Sequence, residues 1–231
     1  MLSIIIPTLN EEKYLPLLLD SIKKQDFKDY EMIVADARSK DNTVKIAKSY
    51  GCKVVKGGLP PVARNNGAKS TKGDLLLFLD ADVIIGKDFL RETVSEFYRR
   101  NLGAATCYYR PIKGKRVDKA IAFVANRWIQ LNQYTNPNAA GFCIFSKKEI
   151  HEKIKGFNEN LRLSEDHDYV KRVSKLSRFR VLKSRKINVS MRRFDKEGRL
   201  QLIKKYILIL LHGWFKGEIK DNKIEYQFGD Y

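Results

Sequence analysis

The chain has 231 residues, of which 43% are hydrophobic and 31% are charged; this composition excludes a disordered chain and predicts one large folded domain. Its 45 lysine and arginine residues outnumber its 27 aspartate and glutamate residues, so the formal net charge is +18. Such a charge suits nucleic acid, an anionic membrane face or a phosphorylated substrate as the partner, although a lysine-rich surface that only favours solubility explains it equally well.

The first 110 residues alternate between strand and helix signals, a pattern that predicts a parallel sheet with crossover helices. A strand at 2–6 should stop at Pro7, and Asn10 should cap a helix at 11–24 with two glutamates in its first turn. The buried stripe of that helix would be Leu15, Leu18, Leu19 and Ile22. The other elements expected in this half are strands at 30–37, 53–56, 74–83 and 103–109, helices at 42–51 and 88–100, and a helix opened by Pro60 and Pro61.

The second half of the chain has a more irregular pattern. A helix at 117–134 carries five apolar residues on one face, and a helix at 164–176 begins at Ser164 with acidic residues in its first turn. A strand at 141–146, an extended stretch at 185–194 and a helical run at 198–215 complete the expected elements. Because no linker, repeat or low-complexity tract interrupts the sequence, we expect a single α/β domain with a nucleotide-binding-like first half.

Cysteine usage predicts a reducing environment. Cys52, Cys107 and Cys143 are odd in number, have no metal-type spacing and fall in apolar stretches. We therefore expect buried thiols and a cytoplasmic setting rather than a disulfide framework. The first residues contain no basic region and only a short apolar run, so we expect a first strand there and no signal peptide.

Two aspartates interrupt the most hydrophobic stretch of the chain, LLLFLDADVII at 75–85. Residues two apart in an extended segment face the same side, so Asp80 and Asp82 should project together at the carboxyl end of a buried strand, where open α/β sheets bind ligands. Two such carboxylates favour magnesium or manganese with a diphosphate. The alternative is that they begin a turn. Asp36 ends the second strand at the same edge. It could accept a hydrogen bond from a base N–H or a ribose hydroxyl, or it could form a turn.

Four segments, in order, resemble the motifs of inverting family 2 glycosyltransferases with a GT-A fold: SIIIPTLNEEKYL, the strand-end Asp36 with SKDNT, ARNNGAKSTKGDLLLFLDADV and GFNENLRLSEDHDYVKRV. The resemblance covers about residues 2–173, and the ordered set is more specific than any single motif. It implies a mostly parallel central sheet flanked by helices, a nucleoside diphosphate sugar as donor and a divalent metal as cofactor. A single domain at 1–231 would then contain a nucleotide-sugar-binding half at 1–110, an acceptor and catalytic half at 111–197 and a C-terminal helical segment at 198–231.

The same resemblance implies residues for the donor. They are Pro7, Thr8 and Glu11 along the nucleotide pocket, Asp36 at the base, Arg64 and Gly67 near the nucleotide, Asp80 at the ribose or metal, and Asp82 on the metal. One departure concerns the base: the family's usual second acidic residue after Asp36 is Ala37 here, followed by Arg38 instead of glycine. UDP is the favoured nucleotide, with GDP as the alternative.

The family's catalytic acidic pair matches Glu165 and Asp166, which puts Asp166 in the position of the base. Inverting transfer needs a carboxylate beside the acceptor hydroxyl to take its proton, and the dipole of a helix that starts here would keep that carboxylate ionised. Without the resemblance, acidic residues in a first turn would be expected only to stabilise the helix. A single histidine without spaced partners is more often structural or exposed than a ligand, so we do not expect His167 or the nearby Asp168 to be catalytic.

Two segments of the last third are further candidates. SMRRF (190–194) resembles a segment of one subgroup of these enzymes, so Arg192 and Arg193 are expected either to clamp the donor diphosphate or to be plain surface arginines. The run YILILLHGWF (206–215) is too short to span a bilayer. It could lie in a membrane interface with Trp214 at headgroup depth, or pack in the core or against a second subunit.

The sequence thus predicts a metal-dependent, hexosyltransferase-type glycosyltransferase in the cytoplasm or at the cytoplasmic face of the membrane. It would move one sugar to a hydroxyl of a sugar or lipid-linked acceptor, with no nucleic acid partner. A nucleotidyltransferase would carry a glycine-rich loop where PTLNEE stands, and a dinucleotide-dependent oxidoreductase would carry GxGxxG there. A nucleic-acid-binding module is supported only by charge and by the patch YYRPIKGKR at 108–116.

Overall fold

The computed structural model describes residues 1–161, 163–205 and 208. The strands are β1 (Leu2–Thr8), β2 (Tyr30–Asp36), β3 (Lys53–Lys56), β4 (Leu75–Leu79), β5 (Val83–Ile84), β6 (Ala104–Pro111), β7 (Cys143–Lys147) and β8 (Phe179–Val189). The helices are α1 (Leu15–Lys23), α2 (Thr43–Ser49), α3 (Pro60–Lys69), α4 (Phe89–Arg99), α5 (Arg116–Asn132), α6 (Lys148–Lys153), α7 (Glu165–Ser174) and α8 (Arg192–Glu197). Residues 199–205 are also helical.

Within the described residues the eight strands form one sheet in the order β3-β2-β1-β4-β7-β6-β8-β5. β3, β2, β1 and β4 are parallel, with Thr8 opposite Asp36 and Ile5 opposite Phe78. β7 runs antiparallel between β4 and β6, whereas β8 is parallel to β6 and antiparallel to β5. The sheet is therefore parallel in its first half and mixed in its second, and the carboxyl ends of β1, β2 and β4 lie at one edge.

The core has two apolar clusters, one on each face of the sheet, because successive residues of a strand point to opposite faces. One cluster contains the predicted buried stripe of α1, whose four residues are all 0% exposed: Leu15, Leu18, Leu19 and Ile22. The other is built on α3, α6 and α7, with Tyr169 among its largest members. All three cysteines are free and buried, as predicted.

The first strand is longer than predicted. β1 continues through Pro7 to Thr8 instead of stopping at the proline. β4 pairs with β1 only as far as Ile5, so the proline lies near the open end of the strand, where a missing N–H is tolerated.

The first helix begins later than predicted, and Asn10 does not cap it. Asn10 has a φ of +55°, and its side-chain oxygen accepts from the backbone N–H of Lys40 at 2.9 Å. α1 starts at Leu15, with a proline in its first turn that presets the helical φ. Glu11 and Glu12 therefore lie outside the helix and are available for contacts with distant segments.

The fourth strand ends at Leu79, although the sequence predicted a strand through 83. The chain turns at 81–82 and resumes at Val83 as β5. The argument that Asp80 and Asp82 project together because they alternate along a strand is therefore wrong. Asp80 directly follows β4 and Asp82 lies in the turn, and the next helix is preceded by Asp88 rather than by either of them.

The second half also differs from its prediction in detail. Asp118, Ala122 and Ile129 are the buried residues of α5 and face the sheet. Most of the apolar residues of this helix face solvent. β8 begins at Phe179 rather than at 185, and the segment after it folds into the short helix α8 instead of staying extended. The run at 206–215 lies outside the described residues apart from position 208, and the described part of the chain contains no helix that is both long and apolar enough to cross a membrane.

We expect Gly67→Ala to destabilise the protein. Gly67 lies in α3, where an added Cβ would sit 2.3 Å from Cγ2 of Ile5, a residue that is 0% exposed. Forcing a methyl group into this contact should lower the free energy of unfolding by about 1–3 kcal/mol, measured by urea denaturation. Gly86→Ala is the matched control because a Cβ there meets nothing within 4 Å. Equal stability of the two variants would contradict the close packing of α3 on β1.

We also expect stability to fall on acidification because of His151. Burial, together with the nearby charges of Arg172 and Lys148, lowers the pKa of this residue to about 4. Between pH ~6.5 and pH ~4 the unfolded chain takes up a proton that the folded chain refuses, so the folded state loses up to about 3 kcal/mol as the pH falls. Urea denaturation of the wild type and of His151→Gln across this range isolates the effect. A stability difference between the two that does not change with pH would contradict it.

Candidate active site

Buried hydrogen bonds around Asp36 join the ends of β1 and β2. Thr8 Oγ1 donates to Asp36 Oδ1 at 3.0 Å, while Ser39 donates its backbone N–H to Oδ2 at 2.9 Å and its hydroxyl to Oδ1 at 2.6 Å. The Ser39 hydroxyl also accepts from the backbone N–H of Asn10 at 2.9 Å. Asp36 and Thr8 thus lie at the carboxyl edge of the parallel strands, and the loops that follow both strands are tied to each other.

Arg192 binds carboxylates that come from two different loops. Its guanidinium donates to both oxygens of Glu11, at 2.8 and 2.6 Å, and its Nε donates to Asp82 Oδ2 at 2.9 Å. Its Cζ lies 4.4 Å from the centre of the Tyr14 ring, which adds a cation–π contact. Burial raises the pKa of Glu11 and that of Asp82, and Arg192 opposes both rises.

A second guanidinium, that of Arg64, lies deeper in the site. Arg64 projects from α3, is 3% exposed, and donates to Asp80 Oδ1 at 3.0 Å and to Glu165 Oε1 at 2.7 Å. Burial raises the pKa of Glu165 and the adjacent Asp166 carboxylate adds to the rise, whereas Arg64 opposes it. The Asp80 side chain is 39% exposed, so it remains accessible beside this buried ion pair.

Asp166 lies in the first turn of α7, next to that ion pair. Its Oδ1 accepts from the backbone N–H of His167 at 2.8 Å. A Cβ on Gly141 would lie 2.6 Å from Nη2 of Arg64, so glycine lets the loop before β7 approach this guanidinium; the same Cβ would be 3.5 Å from Oδ2 of Asp166, an ordinary contact distance. Ser164 precedes α7 as predicted, but its side chain makes no capping hydrogen bond.

The two arginine clusters are close enough to interact. The charge of Asp80 raises the pKa of both Asp82 and Glu11, which belong to the Arg192 cluster. The carboxylates of Asp80 and Asp82 are therefore close enough for their charges to interact, although the chain turns after β4. The acidic residues of this site come from the loop after β1, the turn after β4 and the start of α7.

Three of the predicted site residues have other contacts in the structure. Gly67 lies against Ile5, Pro7 is part of β1, and Arg193 lies 3.8 Å from Glu197 of its own helix. Contacts of Pro7, Gly67 and Arg193 with a nucleotide stay predictions.

The carboxylates fit a metal that arrives with its own ligands better than a preformed metal site. Among the described residues, no three histidine, cysteine, aspartate or glutamate side chains are arranged to hold an ion. Asp80 and Asp82 supply hard oxygen atoms, and one or two carboxylates together with phosphate oxygens are the usual ligands of Mg²⁺. An oxygen of Asp82 is held by Arg192, whose charge already offsets the negative charge of this part of the site.

Sequence reasoning missed several residues that build the site. Tyr14 lies under Arg192, Ser39 binds Asp36, and Gly141 makes room for Arg64. Ser39 lies in the quoted SKDNT segment, so its hydroxyl beside a strand-end aspartate was a usable signal. Tyr14 and Gly141 carried no local signal, because their partners are distant in sequence.

Comparison with known sequences gives matches in one family of enzymes. The model of the family "Glycosyl transferase family 2" matches residues 3–154. An uncharacterized glycosyltransferase of Haemophilus influenzae is 32% identical over 180 residues, which are 74% of this chain and 60% of that protein. The poly(ribitol-phosphate) beta-N-acetylglucosaminyltransferase TarS of Staphylococcus aureus is 30% identical over 129 residues, 52% of this chain and 22% of TarS. The chain thus spans less than two thirds of the length of either relative.

Solved structures agree on the fold. S. aureus TarS in complex with UDP-GlcNAc has a TM-score of 0.68 and 23% identity, covering 82% of this chain and 58% of that one. The Pyrobaculum calidifontis mannosyltransferase PcManGT, solved with GDP-Man and Mn²⁺, has a TM-score of 0.69 and 20% identity. The match covers 90% of this chain and 64% of that one. The fold is that of the GT-A glycosyltransferases. With a family model matched over most of its first two thirds, this chain belongs to glycosyl transferase family 2.

Proposed function

We propose that this glycosyltransferase moves a sugar from a nucleoside diphosphate donor to an acceptor hydroxyl, with inversion at the anomeric carbon. The observation that carries the proposal is the convergence of acidic residues from separate segments on one edge of the sheet, balanced by two arginines. In this proposal residues 1–110 would supply most of the donor site, and 111–197 would bind the acceptor, catalyse transfer and contribute Arg192 to the donor site; most of the predicted C-terminal segment at 198–231 lies outside the described residues.

The first half of the site would bind the nucleoside. Asp36 is fixed by Thr8 and Ser39 at the end of β2, which supports a role in accepting a hydrogen bond from the base. Pro7 near the end of β1 and Glu11 in the loop after it would extend the nucleoside pocket beside Asp36. The UDP-GlcNAc bound by TarS favours a uridine donor, and the GDP-Man bound by PcManGT keeps guanosine as the alternative.

Asp82 and Asp80 would hold a divalent ion, Mn²⁺ or Mg²⁺, that arrives with the donor. When bound, the ion would neutralise charge that develops on the leaving diphosphate. Arg192 would exchange at least one of its carboxylate partners for a diphosphate oxygen, because its fork of N–H donors fits both. Arg193, the next residue along the chain, and Arg64, within the site, would add positive charge near the diphosphate.

Asp166 would take the proton of the acceptor hydroxyl as the oxygen attacks the anomeric carbon. Glu165, its neighbour, is held by Arg64 and therefore serves to position the start of α7 rather than as the base. Gly141, whose added Cβ would lie 3.5 Å from Asp166 Oδ2, would border the acceptor. The relative TarS acts on poly(ribitol-phosphate), and the net charge of +18 here likewise favours a phosphate-bearing acceptor, either a saccharide or a lipid-linked one.

Donor binding should depend on Asp82. We expect UDP with Mn²⁺ to raise the melting temperature more than UDP alone, because a ligand that binds only the folded state stabilises it by mass action. In Asp82→Asn the increment due to Mn²⁺ should disappear. Asp74→Asn, just before the opposite end of β4, is the matched control and should keep the increment. A Mn²⁺ increment of wild-type size in Asp82→Asn would exclude Asp82 as a metal ligand; larger shifts with GDP would replace uridine by guanosine.

Turnover should depend on Asp166. Asp166→Asn keeps the size of the side chain but cannot accept the proton, so we expect the rate of UDP release from the best UDP-sugar to fall by about 10²–10⁴-fold. The affinity for UDP should stay within about twofold, because the change is on the acceptor side. His167→Gln, at the next position, is the control and should retain most of the rate. Near-normal turnover of Asp166→Asn would remove Asp166 from the role of base.

A further inference from the structure

Helix α5 turns its apolar residues away from the protein. The large hydrophobic side chains on its outer side are exposed: Phe123 61%, Val124 66%, Trp128 40% and Leu131 74%. Val117 at 45% and Tyr134 at 68%, just beyond the helix, extend this surface at both ends. We call these six residues the α5 surface. Single exposed apolar residues also occur elsewhere on the surface, but several grouped on one side of one helix indicate an interaction site.

Polar contacts on the opposite side of α5 hold it in this orientation. Asn126 bonds both the N–H and the C=O of Tyr109 in β6, at 3.0 and 2.8 Å. Gln133 accepts from the backbone N–H of Val181 in β8 at 3.1 Å. Asp118, 2% exposed, accepts from Arg199 through both of its oxygens. Rotating the helix to bury its apolar side would break all of these bonds, so the outward direction is a fixed property of the fold.

Every charged residue of α5 other than Asp118 is basic, namely Arg116, Lys119 and Arg127. All three are exposed. Lys113 and Lys115 add two more exposed positive charges just before the helix. Apolar side chains flanked by lysine and arginine, with a tryptophan among them, are the pattern by which a helix lies in the interface of an anionic bilayer.

The charge pattern selects among possible occupants of the α5 surface. A second copy of the chain would bring the same basic residues against each other, which disfavours a symmetric contact. The segment at 209–231 contains three lysines and four acidic residues, so its formal charge of −1 is small against the five basic residues in and just before α5. An anionic lipid surface complements both the apolar and the basic residues.

We propose that the α5 surface is a docking surface for an anionic membrane. Docking there would also bring the lipid headgroups near the site, because a cavity of about 460 Å³ lies between the start of α5 and Arg192 and is lined by Lys113, Lys115 and Lys196. At its other end α5 leads into the loop that carries Gly141 beside Asp166. This inference concerns where the protein sits and does not depend on which sugar it transfers.

The test is co-sedimentation of the full chain with vesicles of phosphatidylcholine alone and of phosphatidylcholine with 30% phosphatidylglycerol. We expect the wild type to bind the anionic vesicles. The double substitution Val124→Ser/Leu131→Ser should lower the partition coefficient at least tenfold, and Lys119→Gln/Arg127→Gln should lower it by less. Tyr98→Ser/Leu176→Ser removes two apolar side chains of similar exposure, 52% and 58%, elsewhere on the surface and should bind as the wild type does. All the substituted side chains are exposed, so melting temperatures should stay within a few degrees of the wild type.

A local readout separates α5 from the apolar run at 206–215. The chain has two tryptophans, so Trp214→Phe leaves Trp128 as the only one, and its emission should shift to shorter wavelength on addition of anionic vesicles. The proposal is overturned if the wild type does not bind, if Val124→Ser/Leu131→Ser binds equally well, or if the Trp128 emission does not move. A concentration-dependent dimer that the same double substitution abolishes would overturn it in favour of a contact between two copies.

Discussion

Two guanidinium groups allow the acidic residues of this site to stand close together. Burial and mutual repulsion both raise the pKa of carboxylates, as they do at Glu11, Asp82 and Glu165. Arg64 and Arg192 offset this cost because each donates to carboxylates from two different segments. Removing either guanidinium would leave buried charge without a partner, a change that typically costs about 3–5 kcal/mol. The geometry of the site thus follows from how these two arginines are held.

The two arginines are held differently. Arg64 comes from the middle of α3, is 3% exposed and lies with its Cζ 5.4 Å from the Phe157 ring, so the surrounding core fixes it. Arg192 comes from α8, a short helix with no buried residue. Its neutralising charge can therefore leave Glu11 and Asp82 without disrupting the core, which is what exchange with a metal and diphosphate requires. The fixed charge of Arg64 lies beside the proposed base, and the exchangeable charge of Arg192 lies beside the proposed donor site. This difference suits a reaction in which the base stays in place while the diphosphate binds and leaves.

Local patterns predicted the parts of the fold that depend on local periodicity. The stripe of α1 is buried as expected, because a 3.6-residue repeat needs no knowledge of its partner. Contacts with distant segments decided what the sequence predicted wrongly or not at all. Glu11 was placed in a helical first turn, but its partner Arg192 lies 181 positions away. Likewise the chain turns at 81–82, which the alternation expected of a strand could not reveal, and the charges of Asp80 and Asp82 interact across that turn.

The orientation of α5 shows how backbone hydrogen bonding can override an apolar stripe. β7 pairs with β6 only at Ala104–Thr106, so β6 has no strand beside it at Tyr109 on that edge. A buried N–H or C=O without a partner costs more than a hydrogen bond is worth, and the side chain of Asn126 supplies both bonds. Gln133 does the same for an N–H of β8. Because the side-chain amides of Asn126 and Gln133 bond the sheet, α5 turns the side that carries them inward. The apolar residues that sequence periodicity grouped on one face therefore point outward.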